Sequence, residues 1–376
     1  MELAEFRTAL DAWLEENAAE LTPTHPSAGS IDAEMEHLNK VKRLAYDAGW
    51  MRWGWPERIG GLGGSTLLRG YLGEALSIRG FVQPGYYSMT EVLVPTMIDY
   101  ASPELAATMA PRQLRGDETW CQGFSEPSTG SNLGALTCRA ARTDTGWRVN
   151  GQKVWTSLAQ FSQRCVLLTR SGTPESAHKG ITALFVDMDS PGITVRPLHT
   201  MHGVDEFCEV FFDDVDVPLD RMLGSEGQGW AVAMDLLPYE RSTALWHRGA
   251  YLHRQLQEAL SSAPDGALSP HDVGAALEAL YALRARSRNT QYRLAAGERL
   301  GPETSIDKLL IGIADQAVYD VVMTGLADRI LFGDDETSAG WRAGFLYSRA
   351  ATIYGGSAEI QRNIVARRLL DLGADT

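Results

Sequence analysis

Leu3, Phe6, Leu10 and Leu14 recur at spacings of three and four through a charged stretch, which predicts an amphipathic helix with one buried stripe. Residues 35–48 and 68–78 carry the same texture, so residues 1 to about 113 predict a helical block. Pro56 and the run Gly60-Gly61-Leu62-Gly63-Gly64 interrupt it with a loop, and the helical bias stops near Arg115-Gly116-Asp117. Beyond that point the period changes. Residues 147–155 alternate around a turn-like Asn150-Gly151, and 165–168, 181–186 and 210–217 predict further strands. Several short strands with turns between them predict a small barrel or sandwich. After Gly227-Gln228-Gly229, long Ala- and Leu-rich helical stretches return until Leu372, broken at Pro264-Asp265-Gly266 and at residues 333–340.

This order gives an α+β fold with three parts: helical 1–113, β 114–221 and helical 222–376. A chain of 376 residues, 44% of them hydrophobic, is long enough to bury a core in each. Cys121, Cys138, Cys165 and Cys208 have no close pairing, so neither a zinc site nor a disulfide framework is expected, and the default compartment is cytoplasmic. Glu2, Glu5 and Asp11 make the N-terminus wrong for a cationic signal peptide, and no apolar run is long enough to predict a membrane span. A net charge of −14 opposes nucleic-acid binding. It also makes any ligand-facing arginine more informative than usual, because an anionic ligand must be drawn in against that field.

Three motifs carry the chemistry. The first is Cys121-Gln122-Gly123-Phe124-Ser125-Glu126-Pro127-Ser128-Thr129-Gly130-Ser131-Asn132, the second Gly151-Gln152-Lys153-Val154-Trp155-Thr156-Ser157. The third is Ile353-Tyr354-Gly355-Gly356-Ser357-Ala358-Glu359-Ile360-Gln361-Arg362. In order and spacing they resemble the flavin-contacting segments of the acyl-CoA dehydrogenase family. That resemblance implies an N-terminal helical domain, a middle β domain and a C-terminal four-helix bundle. It also implies FAD as cofactor and the conversion of an acyl-CoA to its 2-enoyl-CoA, with hydride passing to flavin N5. Phe124, Ser125, Gly130, Ser131, Trp155, Thr156, Ser157, Ser357 and Glu359 match cofactor-contacting positions. Ser131 matches a position near the pantetheine as well, while Asn132 replaces the usual Asp. The residue types suit a flavin site, since hydroxyls and N–H donors stabilise charge on a reduced ring and glycines let backbone approach it.

One residue of the family pattern is absent. Many members place the catalytic glutamate directly after the tyrosine of the third motif, where this chain has Gly355. Other branches place it on the first long helix after the β domain, directly before an arginine, and here that place reads Leu236-Leu237-Pro238-Tyr239-Glu240-Arg241. The resemblance therefore implies Glu240 as the base that removes the α-proton. Arg241, Gly355 and Gly356 are implied on the substrate side, with the Gly355 N–H still able to hold the thioester oxygen. Pro238 removes one helical hydrogen bond and bends the axis, a way to turn Glu240 toward a pocket. Asp235 and Glu209 match no family position.

Two further segments depart from the pattern. The Arg-x-x-Phe-Gly stretch that clasps a neighbour's flavin pyrophosphate is replaced by His253-Arg254-Gln255-Leu256-Gln257-Glu258. The segment that binds the adenosine half is replaced by Ala327-Asp328-Arg329-Ile330-Leu331-Phe332-Gly333-Asp334-Asp335. In this the chain is similar to the steroid-side-chain branch from actinobacteria, whose members pair unlike subunits. The implied partners are an acyl-CoA substrate, an electron-transferring flavoprotein and a second acyl-CoA dehydrogenase-like subunit in a heterotetramer. Three other readings stay open: a homodimer or homotetramer with a rewritten interface, a non-catalytic or FAD-sharing subunit of such a pair, and a flavin oxidase or monooxygenase. His199 and His202 lack the company of other ligand types and predict no metal site. Trp50, Trp53 and Trp55 predict packing within the N-terminal block, near the acyl pocket.

Overall fold

The computed structural model describes residues 1–24 and 30–373. Its N-terminal part is helical, with α1 (Leu3–Glu16), α2 (Ile31–Asp47), α3 (Thr66–Ile78), α4 (Met89–Tyr100) and α5 (Pro103–Arg115). Phe6, Leu10 and Leu14 are buried on α1, so the spacing of three and four marks its packed face. Local chemistry sets the ends of α5. Ser102 accepts a hydrogen bond from the Leu105 N–H, Pro103 occupies a first-turn position that needs no donor, and Gly116 at φ +80° ends the helix. Trp55 is buried beneath the Arg69 guanidinium, and Trp50 packs on Phe6 and Trp13.

The β domain holds β1 (Trp120–Gly123), β2 (Arg139–Arg142), β3 (Gly146–Ser157), β4 (Arg164–Arg170), β5 (Ile181–Asp187), β6 (Ile193–Leu198), β7 (Phe207–Pro218) and β8 (Met222–Leu223). Among the described residues they join in one mixed sheet, ordered β6-β7-β3-β2-β4-β5-β8, with β1 parallel to β4. Asn150-Gly151 is not a hairpin turn. β3 runs through it and pairs with β7 on both sides, the register slipping there at a bulge. Gly151 has φ +147°, and a Cβ on it would stand 2.7 Å from the Cys138 Cα. An Asn-Gly pair signals backbone freedom, and a bulge uses that freedom as readily as a turn. β6 is an edge strand whose residues are at most partly buried, which leaves only a weak apolar signal in its sequence.

Helices return with α6 (Gly229–Glu240), α7 (Thr243–Ser262), α8 (Pro270–Ala295), α9 (Thr304–Gly325), α10 (Ala327–Phe332), α11 (Glu336–Ser348) and α12 (Ala358–Ile364). Leu252 and Leu256 of α7, Leu280 and Leu283 of α8 and Ile311 and Val318 of α9 share a core on which Trp341 and Phe345 of α11 pack. This is the C-terminal bundle of the expected helical–β–helical fold. The predicted break over 333–340 is shorter than the composition suggested. Asp335 accepts from the Ser338 N–H at 3.0 Å and starts α11, so Gly340 lies inside a helix. Among the described residues, no helix is long and apolar enough to cross a membrane.

The break between α6 and α7 places the candidate base. Pro238 cannot donate to the carbonyl one turn back, and the chain leaves helical geometry at Ser242 (φ −132°, ψ −66°). Hydroxyls bind the last carbonyls of α6: Ser242 Oγ donates to Pro238 O at 2.6 Å and Thr243 Oγ1 to Tyr239 O at 2.9 Å. Glu240 is the last residue before the break.

Candidate active site

Glu240 lines a cleft, partly open to solvent, where the three parts of the chain meet. The β domain contributes Gln122 and Ser157, the N-terminal helices Ser88 and Met89, and the C-terminal bundle Arg241, Lys308 and Gly355. Gln122 Nε2 donates to Glu240 Oε2 at 3.2 Å. Arg241 Nε donates to the Gly355 carbonyl at 3.0 Å, and buried Gln361 donates to the same carbonyl at 3.3 Å and to that of Gly356 at 3.2 Å. The turn they hold has φ +63° at Gly355 and +93° at Gly356, consecutive left-handed residues that account for the glycine pair. A Cβ at Gly355 would stand 3.1 Å from Glu240 Oε1 and 3.2 Å from Lys308 Cε.

The cleft is rich in cations. Lys308 is only 4% exposed; its ammonium donates to the Ala351 carbonyl and lies 4.7 Å from the centre of the Tyr354 ring. Burial pushes Lys308 down to about 8, with Glu240 pulling the other way. Burial likewise lowers Arg241 from its ordinary value, again opposed by Glu240. Arg248 donates through Nε and Nη2 to the two oxygens of buried Asp315, at 3.1 and 2.9 Å. A second carboxyl sits close by. Glu206 is buried beside Tyr86, Tyr347 and Arg248, and burial pushes it up to about 7.

The first two motifs are tied to each other. Lys153 Nζ, wholly buried, pairs with Glu126 Oε1 at 2.9 Å and donates to the Phe124 carbonyl at 3.0 Å. Glu126 also accepts from Thr137 N and Oγ1 and from Cys138 N, at 2.7, 2.7 and 2.8 Å. Burial alone would raise the Glu126 carboxyl; Lys153 and these donors outweigh it and hold it below the usual range. The Val154 N–H donates to the Ser125 carbonyl at 2.9 Å, which closes the junction. Glu126 and Lys153 therefore build the loop rather than face a ligand.

Directly beyond Lys153, β3 bulges a second time. Trp155 takes φ +59°, a strained value for a non-glycine residue, and its indole is 60% exposed. Thr156 Oγ1 is buried with no hydrogen-bond partner among the described residues, and Ser157 reaches the cleft wall. An uncovered aromatic wall, an orphaned hydroxyl and a second hydroxyl at the cleft fit one face of a flavin ring. Gly130 and Ser131 are exposed in the loop of the first motif. Ser357 caps α12 by accepting from Ile360 N at 3.4 Å, and Glu359 is exposed beside Arg362.

The fold thus gathers Ser157, Glu240, Arg241 and Gly355 at one cleft, while Ser125, Ser131, Trp155, Ser357 and Glu359 do not line it. Lys308, Arg248 and Tyr347 line it although no motif marks them. Lys308 left one trace, a basic residue opening the run Leu309-Leu310-Ile311-Gly312-Ile313. Gln122 was legible as a motif member but not as a partner of the carboxylate. Trp50, Trp53 and Trp55 pack in or against the N-terminal core and do not line the cleft. His199 pairs with Asp205 at 2.7 Å, and His202 Nδ1 shares a hydrogen bond of 2.7 Å with Thr200 Oγ1.

Models of the acyl-CoA dehydrogenase N-terminal, middle and C-terminal domains match residues 2–117, 121–215 and 227–370 in that order. The chain is 34% identical over 380 residues to the acyl-CoA dehydrogenase IpdE1 of Mycobacterium tuberculosis, covering 99% of this chain and 98% of that one. Among solved structures it is similar to the Tcur3481-Tcur3483 steroid ACAD, with TM-score 0.83 and 23% identity over 99% of this chain and 97% of that one. It is also similar to the ChsE4-ChsE5 complex from Mycobacterium tuberculosis, with TM-score 0.78 and 24% identity over 100% of both chains. At these identities the structural likeness speaks for the fold.

Proposed function

The chain belongs to the acyl-CoA dehydrogenase family, and we propose that it desaturates an acyl-CoA thioester at the α,β bond with Glu240 as the base. The observation that carries this is the place of the Glu240 carboxylate: inside the cleft, against the glycine turn whose first residue occupies the other family position for the base. A thioester α-proton is far too weak an acid for a carboxylate in water, so the enolate must be stabilised as it forms. The Gly355 N–H holds the thioester oxygen, and Arg241 and Gln361 keep that turn in place through its carbonyls. Glu240 takes the α-proton on its carboxylate, and Gln122 fixes the carboxylate's orientation. Arg241, Gly356 and Ser131 complete the substrate side.

FAD, when bound, supplies the acceptor for the β-hydride. Phe124, Ser125, Gly130, Ser131, Trp155, Thr156 and Ser157 would hold it, with Ser357 and Glu359 contributing from the C-terminal motif. Changing Glu240 to Gln keeps the size and the hydrogen bond and removes the basicity. Turnover of the flavin-loaded protein should fall by about 10²–10⁴-fold with flavin content unchanged. Retained turnover would sink the assignment.

A second acyl-CoA dehydrogenase-like subunit completes the cofactor site, and an electron-transferring flavoprotein reoxidises it. Support comes from the segment that departs from the family's adenosine-binding pattern. It folds as α10 and leaves Leu331 and Phe332 exposed, Phe332 at 79%, with Leu370 and Leu372 exposed near the C-terminus. Exposed apolar side chains such as Leu331 and Phe332 are what a partner-covered face would present. The relatives in solved structures include complexes of two differently named chains. Co-expression with a neighbouring family member should give a complex richer in FAD than this chain alone. A yellow, active homo-oligomer of this chain would remove the unlike partner.

A further inference from the structure

The base of the proposed reaction has a buried cation for a neighbour that the reaction leaves unused. Lys308 Cε and Glu240 Oε1 stand 3.2 and 3.1 Å from one point, the place of a Cβ on Gly355. We propose that Lys308 is a positioning residue for that base: its ammonium keeps Glu240 in the carboxylate form when an acyl group fills the cleft. This rests on the Glu240 reading and adds the group that holds the base ready.

A base must be ionised to accept a proton, and a carboxylate sealed under a hydrocarbon chain drifts toward its neutral form. An ammonium close by opposes that drift, because opposite charge favours the ionised carboxylate. Lys308 is built for the task. It is 4% exposed, and its ammonium is fixed by the Ala351 carbonyl and by the Tyr354 ring, whose centre is 4.7 Å away. Among the described residues it makes no ion pair. A cation held short of contact supports the carboxylate without occupying its oxygens, which stay free for Gln122 and the α-proton. The other charged groups around it are committed elsewhere. Arg241 turns its Nε to the Gly355 carbonyl. Arg248 gives Nε and Nη2 to Asp315 and also faces Glu206, while Asp307 pairs with Arg286. Burial pushes Tyr347 and Tyr354 far up, so both stay neutral. Glu240 is therefore the carboxylate left facing Lys308, and it is the first charge to oppose the burial that lowers Lys308 to about 8.

Infrared difference titration of the flavin-loaded protein, with its partner subunit where one co-purifies, follows the protonation of Glu240. The band is assigned by its loss in Glu240→Gln. Spectra are recorded with and without acetyl-CoA, which brings a thioester and α-protons but has no β-carbon and cannot be desaturated. Lys308→Gln keeps a donor for the Ala351 carbonyl and removes the charge, so the midpoint should rise by about one pH unit or more. Lys308→Arg should bring it back to the native value. In deuterium oxide, exchange of the acetyl-CoA α-protons should show the same displacement of its acid limb. An unmoved midpoint in Lys308→Gln overturns the proposal, and Lys308→Met reads the same shift where the Gln variant does not fold. A midpoint raised equally in Lys308→Arg overturns it as well, since packing and not charge would then be at work. A displaced midpoint in a protein that exchanges no α-protons upholds the coupling of Lys308 to Glu240 and removes Glu240 as the base.

Discussion

Glu240 Oε1 lies 3.1 Å from the point where a Cβ on Gly355 would stand. Two positions more than a hundred residues apart therefore reach one spot, so a carboxylate can be delivered to it from either. The swap is not symmetrical, because Gly355 sits at φ +63°, which costs a side-chain-bearing residue on the order of 1–2 kcal/mol. We expect Glu240→Gly to abolish turnover and Glu240→Gly combined with Gly355→Glu to restore a measurable part of it. Gly355→Glu alone should lower turnover, since the new carboxylate would crowd Glu240 and raise the pair's pKa. Steady-state rates of the three variants decide the matter. A double variant no better than Glu240→Gly would show that the spot alone is not enough.

The Lys153–Glu126 pair makes a prediction about stability. Both side chains are buried, and Glu126 accepts four hydrogen bonds, one from Lys153 on β3 and three from Thr137 and Cys138 just ahead of β2. Lys153→Met strands a buried carboxylate and should destabilise the protein by roughly 3–5 kcal/mol. The Phe124–Ser125 loop loses its anchor with it, so flavin retention should fall too. Chemical denaturation and the visible spectrum of the purified variant measure both effects.

Trp155 predicts the opposite sign. Its φ of +59° is strained and its indole is mostly exposed, so the unliganded chain gains little from it. Trp155→Gly relieves the strain and should raise the stability of flavin-free protein by up to about 1 kcal/mol. It also deletes the aromatic wall, so FAD should bind more weakly. Thermal unfolding with and without added FAD separates the two effects; a variant destabilised in both states would mean that the indole is structural.

Much of the scaffold was legible because periodicity reports burial. Leu3, Phe6, Leu10 and Leu14 announced a buried face, and the run 181–186 announced a central strand. Local signals misled where one backbone conformation serves two purposes. Asn150-Gly151 specifies a bulge as well as it would a turn, and Gly340 is tolerated within α11 once Asp335 has capped it. The base position was legible by resemblance, but its geometry was not: no spacing tells that α6 breaks after Glu240 against the turn at Gly355. Lys308 and Arg248 were invisible for a related reason. Their meaning comes from helices packing side by side, which the sequence of each helix does not record.

Glu206 carries the pH prediction. Buried beside Tyr86, Tyr347 and Arg248, its carboxyl is pushed from 4.5 up to about 7, burial outweighing the donors around it. The native state thus holds a proton over that interval that the unfolded chain has released. Stability gained from the protonated form is fully present below 4.5 and is lost as pH rises through about 7. The whole difference is on the order of 3 kcal/mol. Glu206→Gln keeps a hydrogen-bonding side chain that never ionises, so it should match the native protein at acid pH and exceed it in stability near pH 8. Other buried groups, among them Asp307 and Lys42, titrate in both proteins and cancel in the difference. Unfolding free energies of the two proteins across this range supply the test. Parallel curves would mean that Glu206 does not change its proton occupancy on folding, and the buried carboxyl beside the cleft would then be charged at neutral pH.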